Sequence, residues 1–478
     1  MPRATALASR LQQRFRNYFK RNINKKDNGY EENFTLIIAC IAAIAATAQT
    51  EGATATWGLT GEGTEANPYC IYTADDLYAM AKNCNADHKG TGEYFVLKND
   101  IYFDGTAETP MQLPAIGKDG NAKIAEIAYG FDGTFDGAGH TISGIYHTEA
   151  DNNAAGKYNA IFGCIDKNGV VKNLIISKDN HITGYNYVGT IASLNMGLIQ
   201  NCTNYADVTA TNFAAAGICG FMVNGTGTVK SCKNTGNVKA MTYASGICGG
   251  SQSGKSISAY SYLIENCSNS GDISTTNGVG SAGIAGSYSG AVKNCTNYGI
   301  TDDTKGTAKS RLNTAGIVAC ASFAVDIDGC KNYGTVNGVK NVGGIVGNVM
   351  KGDNAATVIK NCVNEAAVRG QDAYVAGIIA NSARAEGLVS VASCTNKGEV
   401  STTAATEFIG NLRGNSTIAL GEGNIIADGL TAYALDPKGT GINNVGLGAT
   451  AKNGKFVKNG RVVIINNGNE YNLNGTKF

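Results

Sequence analysis

Cysteine recurs in this chain with the regularity of a metal or redox motif. Seven times a Cys is followed two residues later by Asn, at Cys202, Cys232, Cys267, Cys295, Cys330, Cys362 and Cys394 with Asn204, Asn234, Asn269, Asn297, Asn332, Asn364 and Asn396. Zinc chemistry needs thiolate and imidazole ligands at paired short spacings, and here each Cys stands alone. The four histidines (His88, His140, His147 and His181) show no paired spacing either. Successive Cys residues are 30, 35, 28, 35, 32 and 32 positions apart, a period that belongs to solenoids. On neighbouring parallel strands, residues in register lie about 4.8 Å apart and point the same way. A disulfide needs closer, twisted Cβ atoms. The ladder cysteines therefore read as small buried apolar residues. The ladder asparagines read as a column whose amides bond from coil to coil, and whose backbone tolerates a left-handed turn. The Gly or Ala two residues after each Asn reads as a position limited by crowding.

Other motifs are weaker. Gly249 to Ser256 (GGSQSGKS) matches the phosphate-binding loop letter for letter. That mechanism requires a helix after the loop, and Ile257–Ile264 reads as a strand. No H-E-x-x-H is present, and no Ser or Cys stands in a nucleophile-elbow context with a His/Asp pair. Polysaccharide-cleaving sites on β-helices usually need clustered carboxylates, or a carboxylate with Lys/Arg or a calcium ion, on one face. Asp326 and Asp328 read as a solvated edge, and Asp132 and Asp136 as turn residues. Asp302 and Asp303 fall in an insertion with Lys305, Lys309 and Arg311, while a second insertion, Ser251–Tyr262, falls in the other half of its coil. No catalytic residue, metal or cofactor is expected. The candidate ligand-binding residues are Tyr205, Tyr298 and Tyr333, three positions after a ladder Cys; Tyr298 and Tyr333 fall on consecutive coils and should stack. Such a pair suits sugar rings or simply covers a turn.

The elements that carry these residues are short. Each repeat holds the Cys phrase and, about 15 residues later, a small-residue strand such as Ala216-Gly217-Ile218-Cys219-Gly220 or Gly343-Gly344-Ile345-Val346-Gly347, with a β-branched stretch between. Two or three short strands per unit predict a parallel β-helix of about eight coils. Gly-rich, β-branched repeats exclude an α-solenoid. Upstream, Thr73 with Asp76 forms a capping box for a helix over Ala74–Cys84 with Leu77, Met80, Ala81 and Cys84 on one face. Strands are predicted at Tyr69–Tyr72 and Tyr94–Leu97. Cys70 and Cys84 flank that helix as a candidate bridged pair.

These phrases resemble the GLUG-motif repeats of bacterial secreted and surface proteins. Asn67-Pro68-Tyr69, Thr73–Leu77, Gly133–Gly137 and Gly139–Gly144 are similar to the phrases that precede such repeats, and the resemblance covers roughly residues 58–412. It implies a right-handed, pectin-lyase-like β-helix and leaves activity open.

The bulk numbers fit an exported rod. Gly is 63 of 478 residues and charged residues are 16%. Positions 1–48 hold eight Lys/Arg and three Asp/Glu, which leaves 31 basic against 35 acidic residues and no electrostatic footprint for nucleic acid. Those 48 residues read as a signal segment: a basic stretch, an apolar run from Phe34 to Ala46, and small residues placing cleavage after Ala48. The run is too short to span a bilayer, so the mature chain is expected to lack a transmembrane span. Ile37–Cys40 loosely resembles a lipoprotein box. The expected organisation is a signal segment (1–48), an N-terminal cap (49–130), a β-helix (131–412) and a C-terminal segment (413–478) with a hairpin around Asn467-Gly468. That segment resembles the tails of exported proteins of anaerobic Gram-negative bacteria, which implies sorting or anchoring; capping the solenoid is the alternative. The resulting expectation is an exported monomer that binds a glycan or a host or cell-surface ligand. The alternatives are a polysaccharide lyase or hydrolase, and a structural stalk.

Overall fold

The computed structural model describes residues 57–426, apart from 87–88, 111–112, 118–129, 149–158, 253–261, 306–311, 352–354, 386, 404–408 and 416–417, together with three strands between 453 and 471. The signal segment with Cys40 and Ala48, and also His88, Lys309 and Arg311, lies outside the described residues.

The chain is a right-handed parallel β-helix. One coil shows the plan. Ala192–Asn195 and Leu198–Gln200 lie in the first sheet, Thr203–Asn204 in the second, Val208–Ala210 in the third and Ala214–Ala216 in the fourth. Cys219–Met222 then re-enters the first sheet one rung higher. The coils thus carry four or five strands rather than the two or three expected. Strands of two to four residues, joined in this coil by turns of two or three, leave too short an alternation to read in sequence. The sheets hold 18, 11, 9 and 7 strands.

Register builds the core. Phe135, Val171, Ile199, Val229, Ile264, Val292, Ile327, Ile359 and Val391 form one inward column, each fully buried. Burying such a side chain contributes about 1.5–3 kcal/mol. The first-to-second-sheet corner is made by the residue before each ladder Cys. Asn201, Ser231, Asn266, Asn294, Asn361 and Ser393 all have φ between 51° and 55°, and Gly329 has φ 66°. The left-handed turn expected of the ladder asparagines belongs instead to these residues. The ladder asparagines are in strands, with their side chains inside.

At the N-terminal end, the helix Ala74–Cys84 begins at the Thr73–Asp76 capping box and buries Leu77, Met80, Ala81 and Cys84. Strands Tyr69–Ile71 and Tyr94–Leu97 pair in parallel and lead into the first sheet. Cys70 and Cys84 are both unbridged. Alternation along Tyr69–Ile71 turns Cys70 away from the core, while Cys84 faces into it; burial pushes the Cys84 thiol up to about 12. In the C-terminal segment, Arg461–Asn466 pairs antiparallel with Asn469–Tyr471 as expected, and also with Asn453–Lys458. This third strand is an addition to the predicted hairpin; a second Asn-Gly pair, Asn459-Gly460, separates it from Arg461 in the sequence.

Candidate functional site

The residues that recur most are architecture. All seven ladder cysteines are buried and unbridged. Their sulfurs face the backbone: Cys202 N–H donates to Cys232 Sγ and Cys232 N–H to Cys267 Sγ, both at 3.4 Å. Burial pushes the thiols of Cys232, Cys295, Cys330 and Cys362 well above their ordinary value, so they are poor nucleophiles.

Beside them each Asn amide spends its nitrogen twice. Asn204 Nδ2 donates up the column to Asn234 Oδ1 at 2.7 Å, and the pattern continues through Asn269, Asn297, Asn332 and Asn364 to Asn396 at 2.7–2.9 Å. The same nitrogen donates within its own turn to the carbonyl two residues on, as Asn297 does to Gly299 O at 2.9 Å. A Cβ on Gly299 would lie 2.0 Å from Gly271 O, which confirms crowding as the reason for the small residue.

The small-residue strands answer to the same ladder. A Cβ on Gly217, Gly246, Gly283 or Gly316 would fall 2.1–2.3 Å from the side chain of Asn234, Asn269, Asn297 or Asn332, one rung higher. The two repeated phrases are therefore two sides of one contact, a relation that the sequence spacing did not disclose.

Outside the ladder, register lines up the position three residues after each Cys. Backbone hydrogen bonds carry the column from Tyr205 through Thr235, Ser270, Tyr298 and Tyr333 to Glu365 and Lys397. Tyr298 and Tyr333 stack, with centroids 5.3 Å apart and planes 9° from parallel. They are 56% and 40% exposed, and Tyr205 is 49% exposed. The 5.3 Å separation exceeds face-to-face contact of about 3.5–4 Å, and both rings keep a large part of their surface open to solvent. Tyr205 stands three rungs below Tyr298 and is not part of the pair. Glu365 and Lys397 close the column with a 2.8 Å ion pair. Sequence reasoning missed Tyr102, 68% exposed, which pairs with Ser143 in the same sheet. Its coil lacks the Cys phrase that marks the later ones.

The carboxylates are occupied. Asp326 and Asp328 both reach Lys360, at 3.3 and 3.6 Å, and chiefly Asp326 holds the lysine pKa above its ordinary value. Asp136 pairs with Lys172 at 3.3 Å and Glu265 with Lys230 at 3.0 Å. Asp132 accepts from Thr91 Oγ1 and Asn168 N at 3.0 and 3.1 Å, a turn role. Asp303 departs from the expectation of an exposed insertion acid. It is 1% exposed and accepts from Thr275 N and Oγ1 at 2.8 Å, from Ser281 Oγ, and from Thr314 Oγ1 at 3.1 Å. Burial raises its pKa against those bonds.

Gly249 and Gly250 lie in the strand Cys248–Gly250, and Ser251 N–H bonds to Ser287 O at 2.8 Å. These groups serve the sheet rather than a phosphate cradle; residues 253–256 of the motif lie outside the described residues. His140 bonds Asp100 at 3.2 Å, and His181 stacks on Tyr146 at 4.5 Å. Among the described residues no three His, Cys, Asp or Glu side chains group as a metal site, and no helix is long and apolar enough to cross a membrane.

Comparison with known proteins is sparse. No family model matches the chain. It is 35% identical over 144 residues to halomucin of Haloquadratum walsbyi and, at the same identity and length, to a candidate Gly-rich membrane protein of Evansella cellulosilytica. That segment is 30% of this chain but only 1% and 15% of those relatives. A solved structure of a candidate immunoglobulin A1 protease from Bacteroides ovatus aligns over 81% of this chain and 82% of its own, at 17% identity and a TM-score of 0.32, a likeness too loose to carry function.

Proposed function

We propose that this chain is an exported, surface or extracellular GLUG-type β-helix that binds glycan through its outer face. The observation that carries this reading is the exposed stack of Tyr298 and Tyr333. Aromatic faces fixed on a rigid scaffold bind the apolar faces of sugar rings at little entropic cost. The lysine partners of Asp136, Glu265, Asp326 and Asp328 support binding over hydrolysis at those carboxylates, because a general acid or base must be free to exchange its proton with substrate. The membrane designation of one relative supports a surface location.

A glycan array with the full chain, run beside assays for new reducing ends and unsaturated products, tests the proposal. Binding without product, lost in a Tyr298→Ala/Tyr333→Ala double variant, is the expected result. Product release, or binding that survives the double variant, would defeat it.

A further inference from the structure

The tyrosine column is longer than the stacked pair, and its composition is periodic. Read rung by rung it runs Tyr102, Ser143, Ser177, Tyr205, Thr235, Ser270, Tyr298, Tyr333. Strand pairing of Ile101–Tyr102 with Ile142–Ser143 fixes the first step. Backbone bonds from Ser177 N to Ile142 O and from Tyr205 N to Ile176 O, at 3.0 and 2.9 Å, fix the next two. Bonds from Thr235, Ser270, Tyr298 and Tyr333 to the ladder carbonyls below them fix the rest at 2.7–2.8 Å. From Tyr102 to Tyr298 a tyrosine therefore recurs every third rung, with two hydroxyl side chains in each interval, and Tyr333 follows on the next rung. Three rungs of a parallel sheet span about 14 Å.

The four rings are among the most exposed large side chains in the chain, while every ring of the N-terminal aromatic core is buried. The intervening residues are small: Thr235 and Ser270 are exposed, Ser143 and Ser177 half-buried. The column is thus a straight track of ring platforms with low, hydroxyl-bearing floors between them. Its flanks are acidic. Lys233 and Lys331 lie two positions before Thr235 and Tyr333, against Asp100 two positions before Tyr102 and Asp104, Asp179, Asp207 and Asp272 two positions after Tyr102, Ser177, Tyr205 and Ser270.

We infer that this column is a ruler for a linear, neutral polysaccharide lying along the solenoid axis. Each pyranose unit of an extended chain rises by about one rung. Between Tyr102 and Tyr298 every third sugar then meets a tyrosine, and the two between exchange hydrogen bonds with Ser and Thr hydroxyls; beyond Tyr298 the next sugar meets Tyr333. The acidic flanks favour uncharged sugars over uronates, whose carboxylates would meet Asp104, Asp179, Asp207 and Asp272. The inference rests on the glycan-binding reading and extends it from the Tyr298–Tyr333 pair to Tyr205 and Tyr102.

The test is calorimetric titration of the full chain with neutral linear oligosaccharides of three to ten sugars, drawn from the best array ligand, beside oligouronates of equal length. Affinity should rise in steps as the ligand becomes long enough to reach Tyr205 and then Tyr102. Tyr205→Ala should cost long ligands roughly five- to tenfold and leave trisaccharides unchanged; Tyr102→Ala should act only on the longest. Both side chains are exposed, and an unchanged melting temperature will show that the variants fold. Trisaccharide binding with no gain in length would overturn the ruler and leave the glycan-binding proposal standing. Preference for uronates would overturn the neutral-ligand clause, and no binding at any length would defeat both readings.

Discussion

The two ends of the solenoid fill the same position with opposite chemistry. In the second sheet, Ile101, Ile142 and Ile176 occupy the inward site of the first three coils, and Asn204 to Asn396 occupy it in the next seven. The isoleucines are backed by an aromatic chain in which Trp57 meets Phe95 edge-on at 4.9 Å, Phe95 meets Phe131 at 5.8 Å, and Phe131 meets Phe162 at 5.2 Å. The asparagines are backed by glycines that leave room only for an amide. An apolar core is satisfied residue by residue. A buried amide is satisfied only if its neighbours are also amides, because each Nδ2 needs the next Oδ1. The ladder is therefore cooperative along the axis, and its ends need special partners. At the lower end Asn204 Oδ1 accepts from Ala206 N at 2.9 Å; at the upper end Asn396 Nδ2 donates sideways to Asn411 Oδ1 at 3.3 Å.

The comparison can be broken most severely at the glycines. Gly316→Ala would place a methyl group 2.2 Å from Asn332 Cγ and should cost more than ~3 kcal/mol or abolish folding. Gly139→Ala near the N-terminal end meets no neighbour within 4 Å but sits at φ 82° and should cost only about 1–2 kcal/mol. Chemical denaturation of both variants checks the ranking; equal costs would remove the ladder as the reason for glycine.

Next come the ladder residues themselves. Asn332→Leu removes the ladder acceptor of the Asn297 amide nitrogen and the ladder donor to the Asn364 oxygen and should cost about 3 kcal/mol. Ile142→Asn, which buries an amide between isoleucines, should cost at least as much. Ile176→Asn lies directly below Asn204 and extends the ladder by one rung, so it should be the milder of the two isoleucine variants. If Ile142→Asn and Ile176→Asn lose the same stability, the column is not cooperative.

The thiols should matter less. Cys295→Ala removes one small buried atom and should cost roughly 1–2 kcal/mol, and the ladder thiols should resist alkylation until the chain unfolds. Labelling of the native ladder at neutral pH, followed by mass spectrometry, would contradict their burial.

The smallest effect is a pH slope. Burial raises the Asp303 pKa, so the folded chain holds that proton to higher pH than the unfolded one. Its contribution is then fully present below the unfolded value of about 4 and is lost as pH rises through the folded pKa. In Asp303→Asn this downward slope of melting temperature above pH 4 should disappear; a slope unchanged from the parent protein would place its origin elsewhere.

Much of this was legible in the residues because solenoid sequences repeat what they bury. The Cys and Asn columns, the helix Ala74–Cys84 with its cap, and the stacking of Tyr298 on Tyr333 all follow from spacing. Tyr102 was not legible, because its coil carries Ile101 where later coils carry Asn, so no phrase marks its register. Asp303 looked like a surface acid because sequence does not show that Thr275, Ser281 and Thr314 converge on it from neighbouring strands.

The sequence by itself determined the period, the parallel coil and which residues stack on which, since register in a solenoid is set by like residues seeking like on the next rung. Only the tertiary structure decided what lies across the coil. It showed that the Gly of one phrase makes room for the Asn of the other, that the left-handed corner precedes the Cys, and that four tyrosines from different coils share one outer line. Those relations depend on the angle between sheets and on distances through the core, and a one-dimensional spacing carries neither.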